Sequence, residues 1–149
     1  MNDNLNASST PEKKVKEITK NCVGKNALIV EDVEINAIFA QAIAEMKGFK
    51  VRIAGNGKEA VEILENSEDM YYSLVLMDVQ MPVMNGYEAT EAIRSSSRDY
   101  LKNIPILAMS ANTFPEDILR SKNAGMNDHI SKPVDINVFS SLVDKYVKD

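Results

Sequence analysis

The 149-residue chain has one cysteine, too little positive charge to bind nucleic acid, and no long hydrophobic run. A lone thiol, Cys22, cannot build an internal disulfide framework, so the chain fits a reducing compartment and Cys22 reads as an incidental tail thiol. Lys and Arg number 17 against 22 Asp and Glu, a net charge of -5 with pI near 5.0, and no basic stripe interrupts the pattern. Direct contact with nucleic acid is therefore not expected. No apolar stretch approaches the ~20 residues that span a bilayer, and Met1 to Ser9 lacks the charged-then-apolar order of a secretion signal. The chain is expected to be cytoplasmic, and its length leaves no room for a second catalytic domain.

What is present is an alternation. Residues 1–24, rich in Asn, Ser and Lys, read as a flexible tail or linker, with Val15 and Ile18 able to sit on a short helix and Lys13, Lys14 and Lys16 as a solvated face. From Lys25 to Asp149, short apolar runs alternate with helix-period segments, the signature of five βα units and a mostly parallel sheet. Ala27 to Val30 and Ser73 to Asp78 read as central strands, and Phe49 to Ala54, alternating apolar with Lys50 and Arg52, as an edge strand. Ile104 to Met109 and Asp128 to Ser131 complete the set. The first helix, about Glu34 to Lys47, offers Ile35, Ile38, Phe39, Ala42, Ile43 and Met46 as a stripe for the sheet. Thr113 and Glu116 form a capping box around Pro115, and Asp135 caps the last helix, which buries Phe139, Leu142, Val143 and Tyr146.

Two of these strands end on acids: Ala27 to Val30 runs into Glu31 and Asp32, and Leu74 to Met77 into Asp78, followed by the turn-prone Met81, Pro82, Asn85 and Gly86. In open α/β sheets, ligands bind beyond the carboxyl ends of the strands. Two like charges ~4 Å apart repel by about 4 kcal/mol at an effective dielectric near 20, so a cation or a raised pKa must relieve such a cluster. Oxygen-only ligands favour a hard ion such as Mg²⁺.

Four signals stand in order at strand ends: Glu31 and Asp32; Asp78 with Met81, Pro82, Asn85 and Gly86; Ser110 with Ala111; and Lys132 with Pro133. On these residues the chain from about Asn26 to Val147 resembles a response-regulator receiver domain. The resemblance implies a flavodoxin-like (βα)5 doubly wound fold, its five parallel strands in the order 2-1-3-4-5. It implies that Asp78 accepts a phosphoryl group from a phosphohistidine. The implied Mg²⁺ ligands are Asp32, Asp78, the backbone carbonyl of Gln80 and, through water, Glu31. Lys132 and Ser110 would hold phosphoryl oxygens, with backbone N–H groups near Val79 and Ala111.

The resemblance further implies a switch pairing Ser110 with an aromatic residue on the fifth strand, where this chain has His129. Gln80 and Asn112 would set the rate of dephosphorylation, and the Lys132–Pro133 peptide is expected to be cis. The implied partners are a sensor histidine kinase or a histidine phosphotransfer protein, and a downstream protein on the surface of the fourth helix, fifth strand and fifth helix. With no output domain expected after Asp149, the wording around Ile29 to Asn36, Met77 to Glu88 and Met126 to Val134 most resembles receivers of hybrid sensor kinases; a free-standing regulator is the alternative.

Three rival readings share these residues. Gly55, Asn56, Gly57 and Ala60 fit a dinucleotide fingerprint, but on an edge strand rather than at a central switch point. An aspartyl phosphatase would carry an acid two residues after its nucleophile, where Gln80 stands. A non-phosphorylated interaction module would leave the acids, hydroxyl and lysine unexplained.

Overall fold

The computed structural model describes residues 18–148. Val15 and the lysines at 13, 14 and 16 lie outside them. Five strands, β1 (Asn26–Val30), β2 (Lys50–Ala54), β3 (Tyr72–Asp78), β4 (Ile106–Ser110) and β5 (Asp128–Ser131), form one sheet in the order β2-β1-β3-β4-β5, with every neighbouring pair parallel. This is the 2-1-3-4-5 order that the resemblance implied. The helices are α1 (Glu34–Met46), α2 (Gly57–Glu65), α3 (Gly86–Arg94), α4 (Asp99–Asn103), α5 (Pro115–Ala124) and α6 (Ile136–Tyr146). Short α4 was not expected, so the fourth and fifth helices of the sequence reading are α5 and α6.

Strand side chains alternate between faces, and the alternation divides the core. Leu28, Val30, Val75, Met77, Ile106 and Ala108 join residues of α2, α3, α4 and α5 in one cluster. Ala27, Ile29, Leu74, Leu76, Leu107 and Met109 join residues of α1 and α6 in the other. Both faces being covered explains why β1 and β3 are continuously apolar. Each aliphatic side chain buried there is worth about 1.5–3 kcal/mol.

Helix α1 corrects its expected stripe. Ile43 is buried, but Ile35, Ile38, Phe39, Ala42 and Met46 face solvent; the buried positions are Ala37, Ala40, Ile43 and Ala44, followed by Lys47. Positions 37, 40, 44 and 47 have the same helical spacing as the bulkier set, and the small side chains let α1 lie close to the sheet. Periodicity alone could not choose between two apolar stripes.

Two smaller expectations also give way. Pro115 takes the first position of α5, so Phe114 becomes the cap; it has no side-chain acceptor, and its carbonyl receives the N–H groups of Asp117 and Ile118 at 2.9 and 3.1 Å. The Thr113–Glu116 box is one residue out of register. Cys22 is buried against the α1 and α6 side, its N–H donating to the Lys47 carbonyl at 2.9 Å, and so is no incidental tail thiol. Asp135 does cap α6, accepting from the N–H groups of Asn137 and Val138.

Candidate phosphoryl-transfer site

The alternation that sorts the core also sorts the strand ends. Continuing the pattern of Ala27 and Ile29 puts Glu31 on the α1 and α6 face; that of Leu74 and Leu76 puts Asp78 there; that of Ile130 puts Lys132 there. The side chains meet. Lys132 Nζ lies 2.9 Å from Glu31 Oε1 and 3.1 Å from Asp78 Oδ1. Glu31 Oε2 also accepts the Val33 N–H at 3.2 Å, a contact with no signal in the sequence, because any residue there except proline carries the same backbone donor. The Lys132–Pro133 peptide is cis.

The site holds more negative than positive charge. Burial raises the Asp78 carboxyl from 3.8 to about 6; the Lys132 hydrogen bond opposes that rise and the Glu31 charge adds to it. Burial works to lower the Lys132 ammonium, but the hydrogen bonds it donates to Glu31 and Asp78 outweigh that and hold the group above the usual lysine range. One ammonium therefore serves two carboxylates that are nearly inaccessible to water, and Asp32 adds a third, exposed one. Glu31, Asp32 and Asp78 each offer a carboxylate oxygen within 4.8 Å of the others. The hard, all-oxygen donors and their excess charge fit a divalent cation such as Mg²⁺. Gln80 follows closely, its N–H donating to Asp78 Oδ1 at 3.3 Å.

Ser110 shares its face with Ala108, on the α2 to α5 side. Its hydroxyl accepts the Asn112 N–H at 3.0 Å and donates to the Asn112 carbonyl at 2.9 Å. Ser110 and Asn112 line a cavity of about 310 Å³ with Gln80, Tyr87, Asp117 and Arg120. His129, paired with Ala108 across β4 and β5, lines a separate cavity of about 210 Å³ with Lys122, Lys145 and Tyr146. Thus the structure brings Glu31, Asp32, Asp78, Gln80 and Lys132 together, sets Ser110 and Asn112 at the rim, and leaves His129 apart. A larger cavity of about 830 Å³, between β2 and α2, contains none of these residues.

The decisive comparison is with a protein family: residues 27–144 match the response regulator receiver domain. The chain belongs to that family. This receiver domain is 36% identical over 122 residues to the peroxide stress-activated histidine kinase mak1 of Schizosaccharomyces pombe, covering 80% of the chain and 7% of mak1. It is 36% identical over 122 residues to the aerobic respiration control sensor protein ArcB of Escherichia coli, covering 81% of the chain and 15% of ArcB. The chain therefore spans only a small part of these relatives. Among solved structures, the receiver domain of a sensor histidine kinase from Pseudomonas aeruginosa aligns with TM-score 0.74 and 31% identity, covering 83% of this chain and 98% of that one; it has a magnesium ion coordinated in its active-site cleft. A Saccharomyces cerevisiae co-crystal of the phosphotransfer protein Ypd1 with the Ssk1 receiver aligns with TM-score 0.71 and 29% identity, covering 83% of this chain and 88% of that one.

Proposed function

We propose that this receiver domain accepts a phosphoryl group on Asp78 from a phosphohistidine of a sensor kinase or histidine phosphotransfer protein, and relays or switches a signal without net turnover of substrate. The observation that carries the reading is the Asp78 carboxylate at the end of β3, 3.1 Å from Lys132 and clustered with Glu31 and Asp32. In the step, an Asp78 oxygen attacks phosphorus, the new P–O bond forms and the P–N bond breaks, and the imidazole nitrogen keeps the bonding pair. Such transfer needs in-line positioning and neutralised oxygens more than covalent help from the protein. Asp32, Asp78 and the Gln80 carbonyl would hold Mg²⁺, with Glu31 acting through water; the ion would supply charge to the phosphoryl oxygens. Lys132, 22% exposed, would exchange a carboxylate partner for a phosphoryl oxygen, its three donors adapting as the group moves. Ser110 would give up its bonds within the Asn112 turn to hold another. Gln80 and Asn112, beside it, would orient or block the water that removes the group.

The reading extends to partners. Val33 and Val83, in the loops after β1 and β3, are exposed, as are Ile35, Ile38, Phe39 and Met46 along α1. An apolar face that starts at the mouth of the crevice suits the histidine-bearing donor, which must dock there to reach a buried Asp78. Ser110 and His129 share the sheet face covered by α5, which supports a switch read on α5, β5 and α6 by a downstream protein; Phe114, Ile118 and Leu119 on or beside α5 and Val138 on α6 are exposed there. Residues 25–149 would form the receiver domain and 1–24 a tail or linker, of which Asn21 and Cys22 pack on it. The chain would act in the cytoplasm, as part of a hybrid kinase or as a free regulator; no helix among the described residues is long and apolar enough to cross a membrane.

The test is incubation with Mg²⁺ and acetyl phosphate, followed by intact mass, on wild type and Asp78→Asn. The expected outcome is a Mg²⁺-dependent gain of one phosphoryl group in wild type alone. No gain in wild type, or an equal gain in the variant, overturns the phosphoacceptor reading.

A further inference from the structure

The glycine pair that imitates a dinucleotide fingerprint has a different task. Three of the N–H groups that a phosphate would use at this turn and helix start are already engaged: Gly55 N–H donates to Glu59 Oε1 at 2.7 Å, Glu59 N–H to Asn56 Oδ1 at 2.8 Å, and Gly57 N–H to the Met84 carbonyl at 3.2 Å. The chain's own acceptors, the Glu59 carboxylate among them, take these donors, which argues against an anion site. The remaining bond runs to the loop that follows Asp78.

That loop, residues 79–86, is held at both ends. At its neck, Gly86 N–H donates to the Val79 carbonyl at 2.9 Å, and a Cβ on Gly86 would come 2.3 Å from the Asp78 carbonyl. At its far side Val83 takes φ 71°, in a tight turn closed by Met84 N–H donating to the Pro82 carbonyl at 2.7 Å. A β-branched residue adopts that conformation only when its surroundings enforce it. The first residue of α2 is part of those surroundings: a Cβ on Gly57 would lie 2.5 Å from the Met84 carbonyl, 3.0 Å from the Ala89 Cβ and 3.2 Å from the Asn85 carbonyl. The nearest of these is backbone and cannot swing aside.

The geometry points to Gly57 as a positioning residue for phosphoryl transfer. It lets the start of α2 close on the Met84 carbonyl and so brace the loop that sets Gln80 and the Asp78 backbone. The inference rests on the phosphoacceptor reading above. Gly57→Ala must displace the Met84 carbonyl by roughly 1 Å to reach ordinary contact, and an error of that size at a positioned group lowers rates by about 100-fold. Gly55→Ala is the matched control, since a Cβ there meets only the Glu59 side chain, at an ordinary 3.5 Å.

The experiment measures Mg²⁺ affinity and the initial rate of acetyl phosphate labelling, well below the melting temperature, for wild type, Gly55→Ala, Gly57→Ala and Gly57→Ala with Ala89→Gly. Expected are a rate loss of about 10- to 100-fold and weakened Mg²⁺ binding with Gly57→Ala, near wild-type values with Gly55→Ala, and no recovery in the double variant. Wild-type behaviour of Gly57→Ala, an equal loss in Gly55→Ala, or recovery on removing the Ala89 methyl overturns the proposal; recovery would make Gly57 a helix-packing residue. Should Gly57→Ala not fold, the wild-type amide spectrum decides: the Gly57 resonance must shift with that of Gln80 during a Mg²⁺ titration, and a static Gly57 overturns the brace. An unlabelled wild type would instead count against the phosphoacceptor reading itself.

Discussion

At the carboxyl end of the sheet, Lys132 stands against Glu31 and Asp78, whose side chains are 1% and 5% exposed while its own is 22% exposed. At the amino end, where α1 gives way to β2, Lys47 is wholly buried against Asp144, which is 51% exposed, and donates to Ser140 Oγ at 2.8 Å. The two lysines invert each other's burial. Around Lys47 the cation is dry and its acid is wet, charge is balanced one to one, and the pair joins α1 to α6. Around Lys132 the acids are dry and outnumber the cation. Water can accept Asp144 if its partner is lost, but it has little access to Glu31 or Asp78. An ion-pair cluster calls for a further cation when the carboxylates left over are those that solvent can hardly reach.

The largest way to break the contrast is Lys132→Met. Labelling by acetyl phosphate is expected to fall by about 100-fold or more, as on loss of one preorganised donor to a developing charge. Stability without Mg²⁺ should fall towards the lower end of the about 3–5 kcal/mol that breaking a buried pair costs. Denaturant unfolding with and without Mg²⁺ checks the second part; an unchanged midpoint would show that the acids are not strained by the loss.

At the other end, Lys47→Ala is expected to lose about 2–4 kcal/mol through its cavity and keep the wild-type labelling rate. Lys47→Met, which fills the space, should stay within about 1 kcal/mol of wild type, since the released Asp144 returns to water. A labelling defect in Lys47→Met would abolish the distinction between the two ends.

Mg²⁺ sharpens it. At about 100 times the dissociation constant it should stabilise wild type by about 2.7 kcal/mol, a gain reduced in Asp32→Asn and retained in Lys47→Met, as followed by melting temperature. The smallest effect is on pH. Lys47 hydrogen-bonds the Asp144 carboxylate and holds it below its ordinary 3.8. The pair's contribution is therefore full above about 3.8 and is lost as pH falls through the lower folded value, so Asp144→Asn should differ from wild type at neutral pH and converge with it in acid. A difference that persists undiminished in acid would show that the ion pair is not its source.

Particular residues explain what was legible beforehand. Central β1 and β3 and edge β2 stood out because burial on two faces or one leaves different alternations. Glu31, Asp78 and Lys132 were nameable because each stands at the carboxyl end of a strand, and their common face is a matter of odd and even positions. The stripe of α1 was misassigned because the helix offers two apolar faces of equal period, and Val33 gave no signal because its contribution is a backbone N–H. The contact of Gly57 with Met84 carried no signal, since the two are 27 residues apart in the chain.

The sequence by itself determined a parallel α/β sheet, the strands that end on acids, and the family, because local periodicity and residue chemistry are written along the chain. The tertiary structure decided which lysine faces unbalanced charge, which face of α1 meets solvent, and which glycine touches the loop after Asp78. Those outcomes depend on how closely distant segments approach and on the water left between them, and neither distance nor solvation is encoded at any single position.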